Sequence, residues 1–553
     1  MNIPQALGSR RRRSILIRLI ANGISQALVS VANAQLVKLA FDNLIKNAST
    51  YFYKDAVSIG LGLTGTAIFL AWLRITERTD AVRMGQSYAY SVRMTLYRKL
   101  STMSPRTLQS RSQGGVTLRF VGDLTSLRQW VSFGLARIMV AVVNTVVTLI
   151  ALAWINLQIA LIATVILLLG AIIAWQRGKH LQDAAKEARY HVSKLAGDIN
   201  EKVAAIAVVQ VFGQSKREKS RLTKRSRSLE TAMVNRGALT SQLRGLSEVT
   251  LSLASAGALL IGAREVALGN TTPGTVIAAM TIVGFLMPPL RDLGRIQEYW
   301  HNSQVSRQKI QEFLDTKNLV KEILDAPDLE VTAGNLQFEN VSFGDILNQV
   351  NARAEPGKVI ALVGANGTGK STLLSLAARL IDPDEGTIYI DNQDISSHSL
   401  VSLRKVIGMA SPDLPLLRGS VGRNLRYRFP KAGEAEIARV WKLCGIDELL
   451  AELPKGEKTK IAEGGKGLSA GQRQRISLAR AILGKPKILL LDEVDANLDP
   501  QATSIVDRVL ANHDGTVLII THRPERLAMA DEVWCLENGK IKLLSEVGER
   551  RKL

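Results

Sequence analysis

The residues best suited to chemistry stand together in Gly364-Ala365-Asn366-Gly367-Thr368-Gly369-Lys370-Ser371-Thr372, which fits G-x-x-x-x-G-K-S. The glycines let backbone N–H groups converge on phosphate oxygens with no Cβ in the way. A helix opening at Lys370 would add the positive end of its dipole. The run Lys358–Val363 (KVIALV) reads as a short buried strand immediately upstream, so the loop has the strand–loop–helix context that the pattern requires. Lys370 is expected to reach the β- and γ-phosphates of a nucleotide, and the Ser371 hydroxyl to ligate Mg²⁺. Gly364, Asn366, Gly367, Thr368, Gly369 and Thr372 complete the candidate phosphate cradle.

A second element carries acid. Lys487–Glu493 (KILLLDE) reads as a buried parallel strand ending in two carboxylates. Asp492 is placed to hold Mg²⁺, directly or through water, and Glu493 to polarise an attacking water. A surface turn is the bland alternative for such a pair, and the phosphate loop upstream argues against it. Further on, Leu468–Arg475 (LSAGQRQR) opens a helix, Ala496-Asn497-Leu498-Asp499 follows the acidic strand, and Thr521-His522 follows the strand Thr516–Ile520.

These groups need a scaffold, and the 553 residues supply two kinds. The first 300 or so carry long apolar runs; the rest reads as a soluble α/β protein. Spans fit near 15–40, 56–76, 132–154, 156–175, 244–263 and 274–294, each long enough for about 30 Å of hydrocarbon. The expected domains are a transmembrane domain over 1–320, a linker over 321–335 and a nucleotide-binding domain over 336–553. Residues 81–128 and 177–240 read as helical extensions beyond the bilayer at about 1.5 Å per residue.

Charge sets the orientation. Arg10–Arg13 precede the first span, and Lys/Arg crowd the segments between spans two and three and between four and five. Both long connections and both termini are therefore expected in the cytoplasm. The net charge of +22 is spread between apolar spans rather than gathered in one patch, so a nucleic-acid partner is not expected. Attraction to anionic membrane lipid is expected. Four arginines, an apolar run and Ala32-Asn33-Ala34 also fit a cleaved signal peptide. Cleavage would leave five spans and strand either the basic loops or the nucleotide site outside. The two cysteines, Cys444 and Cys535, fit neither a disulfide framework nor a metal site. Asn22, Gln26 and Asn33, and separately Asn144 and Thr148, fall on single helix faces. Each set fits either a water-accessible lining or interhelical hydrogen bonds.

Taken together, the phosphate loop, LSAGQ, the Asp492-Glu493 pair, Ala496–Asp499 and Thr521-His522 resemble the motifs of ATP-binding-cassette proteins. The resemblance covers almost the entire chain. It is weaker in the membrane half, where Ser104-Pro105 through Gly114-Gly115, Asp123 and Glu201–Phe212 look like the coupling segments of six-helix exporters. It implies a multidomain fold: an all-α six-helix transmembrane domain with long cytoplasmic extensions, then an α/β P-loop ATPase domain. It implies ATP and Mg²⁺ as cofactors and a head-to-tail dimer. ATP on one phosphate loop is then completed by Ser469, Gly471 and Gln472 of the other subunit, with Asp499 in the dimer loop. Glu493 is the implied base, His522 the implied γ-phosphate sensor, and Glu463 matches a segment that touches the partner's coupling helices.

Three departures stand out. Pro412 occupies the place of the family's glutamine, so slower hydrolysis or looser coupling is expected. Gly344-Asp345 stand where an adenine-stacking aromatic is usual, and Ala470 replaces a glycine. Such losses raise a heterodimer as an alternative; the presence of Glu493 and His522 favours a homodimer. The expected function is ATP-driven export of an amphipathic substrate (peptide, lipid or drug-like molecule) by a multi-pass protein of the bacterial cytoplasmic membrane. An importer of the same fold, or a membrane ATPase that gates or senses, is the alternative. A soluble cassette ATPase is disfavoured by the spans, and no peptidase domain is expected ahead of the first span.

Overall fold

The computed structural model describes residues 2–46, 52–109, 113–321, 323, 325–494 and 500–544. Two compact units divide the chain: Met1–Ser101 with Arg111–Thr316, and Thr102–Ser110 with Lys317–Leu553.

The first unit is helical. In chain order come α1 (Arg10–Lys46), α2 (Phe52–Thr102), α3 (Pro105–Gln109), α4 (Gln113–Leu118), α5 (Leu124–Gln129), α6 (Ala136–Ile155), α7 (Leu157–Ala204), α8 (Ile206–Val211), α9 (Ser215–Ala267), α10 (Pro273–Phe285) and α11 (Met287–Leu314). Of these, α3 belongs to the second unit. Five helical stretches among the described residues are long and apolar enough to cross a membrane: Arg10–Asp42, Ala56–Thr102, Gly115–Ile155, Leu157–Ala204 and Ser215–Ala267. Pro273–Phe285 is a shorter apolar helix. The helix breaks at Leu286, inside the sixth expected span, where Pro288 and Pro289 take the first turn of α11. Proline there lacks an N–H to continue the preceding ladder, but suits a helix start.

The third stretch is not a uniform α-helix. Arg119–Asp123 and Trp130–Leu135 wind as π-turns, with one extra residue per turn. Asp123, at the end of the first, accepts from Arg119 at 2.7 Å and from Ser306 of α11 at 2.9 Å. Trp130, opening the second, meets Trp300 edge-on with ring centres 4.7 Å apart. Between α6 and α7 only Asn156 is extended; its side chain accepts from the Ile159 N–H and caps α7.

Helices approach closely where residues are small, as membrane bundles require. A Cβ on Gly170 of α7 would lie 2.3 Å from Thr250 of α9. Asn22, Gln26 and Asn33 bond across to α2, at Thr76, Glu77 and Thr66 respectively. For these three the interhelical reading holds. The Asn144 Oδ1 and Thr148 Oγ1 atoms are buried with no hydrogen-bond partner among the described residues.

The second unit is built on two sheets. The antiparallel one has the order β2-β1-β4-β5, from β1 (Leu336–Phe343), β2 (Leu347–Ala354), β4 (Glu385–Ile390) and β5 (Gln393–Asp394). The larger has the order β12-β11-β3-β10-β9-β6, from β3 (Val359–Val363), β6 (Ile407–Ala410), β9 (Ile488–Asp492), β10 (Thr516–Ile520), β11 (Glu532–Glu537) and β12 (Lys540–Leu544). A short pair, β7 (Gly419–Ser420) and β8 (Lys460–Ile461), completes the strands. Around them lie α12 (Lys370–Ala377), α13 (Leu400–Val406), α14 (Val421–Leu425), α15 (Glu434–Cys444), α16 (Ile446–Glu452), α17 (Ala470–Ile482), α18 (Pro500–Ala511) and α19 (Pro524–Met529).

The central strands are apolar over most of their length because both faces of the parallel sheet are covered. Period-2 alternation sends their side chains to two cores. Ala361, Val363, Leu489, Leu491, Val517 and Ile519 enter one; Ile360, Leu362, Ile488, Leu490, Leu518 and Ile520 enter the other.

Candidate nucleotide-binding site

Register brings the chemistry together. Ile520 pairs with Leu362 on one side and with Asp492 on the other, so β3, β10 and β9 end level. Their carboxyl ends release the Gly364 loop, Thr521-His522 and Asp492-Glu493 at one edge of the sheet, where open α/β sheets bind ligands.

The loop from Gly364 to Gly369 turns through left-handed backbone at Gly364 (φ +145°), Gly367 (φ +84°) and Gly369 (φ +106°). A Cβ on Gly364 would stand 2.5 Å from the Leu536 carbonyl oxygen, and one on Gly369 2.5 Å from the Ile346 Cγ2. Asn366 and Gly367 are exposed; Thr368 is half-buried, and its hydroxyl donates to the Ala365 carbonyl at 3.0 Å. The Lys370 ammonium spans the loop, donating to the carbonyls of Gly364 at 2.7 Å and Ala365 at 3.0 Å. Burial lowers its pKa, while the charges of Glu493 and Asp492 pull it back up.

Asp492 is buried at the end of β9. Its Oδ1 accepts from Ser371 and its Oδ2 from Ser411, each at 3.2 Å. Burial raises its pKa, the two hydroxyls oppose that, and the neighbouring Glu493 and Asp413 charges add to the rise. A cavity of about 170 Å³ opens beside it, with Ser371, Thr372, Ser411, Asp413 and Asp492 in its wall and Pro105 of α3 at its rim. Glu493 is exposed and sits at φ +46°, a conformation that costs a non-glycine residue about 1–3 kcal/mol. His522 is exposed at the end of β10.

Ser469, Gly471 and Gln472 are not in this cavity. They form the start of α17, where a capping box locks the turn. The Gln472 N–H donates to the Ser469 Oγ at 3.1 Å, and the Ser469 N–H to the Gln472 Oε1 at 3.0 Å. Asp499, with Ala496–Leu498, lies outside the described residues.

The donor set suits a hard divalent cation. Ser371 and Asp492 offer a hydroxyl and a carboxylate, and Mg²⁺ characteristically takes one or two such ligands plus phosphate and water. No group of three or more His, Cys, Asp or Glu side chains that could form an all-protein metal cage occurs among the described residues.

Two features escaped the sequence reading. One is Ser411, whose signal lies in the sheet order: Ala410 of β6 pairs with Leu491, so the residue after β6 must meet Asp492. The other is the left-handed backbone of Glu493, for which the sequence carries no signal.

Comparison with known proteins gives a consistent picture. The family model described as "ABC transporter transmembrane region" matches residues 15–290, and the one described as "ABC transporter" matches residues 347–496. A multidrug efflux ATP-binding/permease protein of Mycobacterium bovis (strain BCG / Pasteur 1173P2) is 29% identical over 539 residues, 96% of this chain. The chain spans only 45% of the length of that relative. An ATP-dependent lipid A-core flippase of Desulfotalea psychrophila is 28% identical over 523 residues, covering 93% of this chain and 91% of the flippase. The solved structure of a bacterial Atm1-family ABC exporter with ATP bound has the same fold. It superposes with a TM-score of 0.83 at 24% identity, covering 98% of this chain and 96% of that one. A multi-pass membrane segment fused to a nucleotide-binding cassette is thus present in one polypeptide, and the chain belongs to the ABC transporter family.

Proposed function

We propose that the chain is one half of an ATP-driven exporter, working as a dimer that moves an amphipathic molecule across the membrane. The observation that carries this reading is the level ending of β3, β10 and β9, which sets a phosphate loop, an acidic pair and a histidine along one edge. Gly364 to Thr372 hold the triphosphate of ATP by backbone N–H groups and the Lys370 ammonium. Ser371 and Asp492 would hold Mg²⁺, which would supply positive charge to offset the negative charge developing on the transferred phosphoryl group. Glu493 takes a proton from the water that attacks the γ-phosphorus; the bond to the bridging oxygen breaks, and ADP and phosphate leave. His522 contacts the γ-phosphate from the neighbouring strand end.

Ser469, Gly471 and Gln472, absent from their own cavity, complete the partner's site together with Asp499. The partner is a second copy of this chain, since Glu493 and His522 are both retained. The short helix α8 supports such pairing: Ile206, Val208, Val211 and Phe212 are all exposed between two polar helical arms, a surface suited to docking on another cassette. The basic segments put both termini and the cassette in the cytoplasm. The efflux and flippase functions named for two relatives support an amphipathic cargo.

Glu493→Gln should lower steady-state hydrolysis about 10²–10⁴-fold, while trapping the ATP-bound dimer in reconstituted protein. Retained turnover removes Glu493 from the role of base. ATP-dependent accumulation of cargo in inside-out vesicles separates export from uptake or gating.

A further inference from the structure

We propose that Ser411 and Asp413 together orient the cation held at Asp492, in a turn where Pro412 offers no side-chain oxygen. This rests on reading the cassette as a nucleotide site.

The segment after β6 is a tight turn. The Leu414 N–H donates to the Ser411 carbonyl at 3.0 Å, which places Pro412 and Asp413 at its two central positions. Proline suits the first of these because its ring presets φ near −65°. Pro412 therefore shapes the loop even though it contributes no side-chain oxygen. The exit of the turn is pinned by Arg480, which donates to the carbonyls of Leu414 at 2.6 Å and Pro415 at 3.2 Å.

Ser411 is 8% exposed. Its Oγ accepts from the Asp413 N–H at 3.2 Å and donates to the Asp492 Oδ2, also at 3.2 Å. With Ser371 on Oδ1, each oxygen of Asp492 is held by a hydroxyl, and the plane of the carboxylate is fixed. Asp413 lies in the wall of the same cavity as Ser371 and Asp492. At about 170 Å³ that cavity has room for several waters, each needing roughly 30 Å³. Mg²⁺ usually keeps part of its water shell. A carboxylate facing that shell accepts hydrogen bonds from metal-bound water, as an amide oxygen would, and adds a full negative charge. Ser411 orients the protein ligand while Asp413 orients the water.

The test uses the full chain in lipid nanodiscs, a non-hydrolysable ATP analogue and Mn²⁺ as a paramagnetic stand-in for Mg²⁺. Bound Mn²⁺ is read by electron paramagnetic resonance, after affinity for the analogue has been measured in EDTA. Asp413→Asn should weaken Mn²⁺ binding about 10–100-fold, the usual cost of losing an outer-sphere partner, with metal-free analogue affinity unchanged. Ser411→Ala should weaken it similarly. Restoring the amide in Pro412→Gln/Asp413→Asn should recover most of the Mn²⁺ affinity. Binding of Mn²⁺ within twofold of the unsubstituted protein in Asp413→Asn overturns the proposal and leaves the nucleotide reading intact. Failure of the unsubstituted protein to bind the analogue overturns the nucleotide reading, and this proposal with it.

Discussion

Two alanines, at Gly364 and Gly367, separate backbone conformation from backbone collision in the phosphate loop. Both glycines have positive φ, +145° and +84°. A Cβ on Gly367 meets nothing within 4 Å, whereas one on Gly364 stands 2.5 Å from the carbonyl oxygen of Leu536. Leu536 belongs to β11, which is paired with β3, so that oxygen cannot retreat without disturbing the sheet. Gly367→Ala therefore carries only the conformational cost, about 1–2 kcal/mol. Gly364→Ala carries about 1–3 kcal/mol for its backbone and about 1–3 kcal/mol more for the overlap. At about 2–4 °C per kcal/mol for a domain of roughly 150–250 residues, the cassette's melting transition should fall by about 4–24 °C in Gly364→Ala. It should fall by no more than about 8 °C in Gly367→Ala on the same scale. Scanning calorimetry reads the transitions, and fluorescent-nucleotide titration reads whether the loop still closes on phosphate. Gly364→Ala should lose nucleotide affinity more severely than Gly367→Ala. Equal losses, or a Gly364→Ala protein that melts and binds like the parent, would refute the argument from the Leu536 carbonyl.

Nucleobase preference should be weak. The hairpin between Phe343 and Leu347 turns through Gly344, Asp345 and Ile346, with no aromatic to lie under adenine; GTP and ATP should compete for the site within about threefold, against the roughly 1–3 kcal/mol that a base–aromatic stack provides. A strong preference for ATP would show that another group reads the base. Asp391 should act as an acid-sensitive clamp. Burial opposes its ionisation, but N–H bonds from Ala333, Gly334, Asn335 and Thr332 outweigh this and hold its pKa below the usual carboxylate value. Because the folded pKa is depressed, the stabilisation is present above the unfolded pKa and fades as pH falls through the folded one. Asp391→Asn should cost about 2 kcal/mol near neutrality, with the gap to the parent protein closing only in acid below about pH 4. A gap that does not change with pH would contradict the assignment.

The structural placement of the cassette's motifs was legible because each motif is local. The phosphate loop must follow a strand and open a helix, and KVIALV before Gly364 announces both. The Asp492-Glu493 pair was legible for the same reason, since four buried apolar positions of β9 lead directly into it. Contacts that join distant positions were not. Ser411 reaches Asp492 across 81 positions of sequence, through strand order that no local pattern encodes. In the membrane unit, apolar periodicity marked the helices, but it could not say whether Asn22 faces water or the Thr76 hydroxyl, because both outcomes need the same polar residue. The break at Leu286 was written in Pro288-Pro289, yet hydropathy alone runs straight through it.

The single extended residue Asn156 has a consequence for motion. A spacer of one residue keeps the Cα atoms of Ile155 and Leu157 within about 7 Å of each other, so α6 and α7 are tethered at that end like the arms of a clothes peg. They can scissor about the tether, but they cannot drift apart there. Any opening of the bundle on that side must run along a seam between other helices, and a crosslink between α6 and α7 beside Asn156 should leave the opening free.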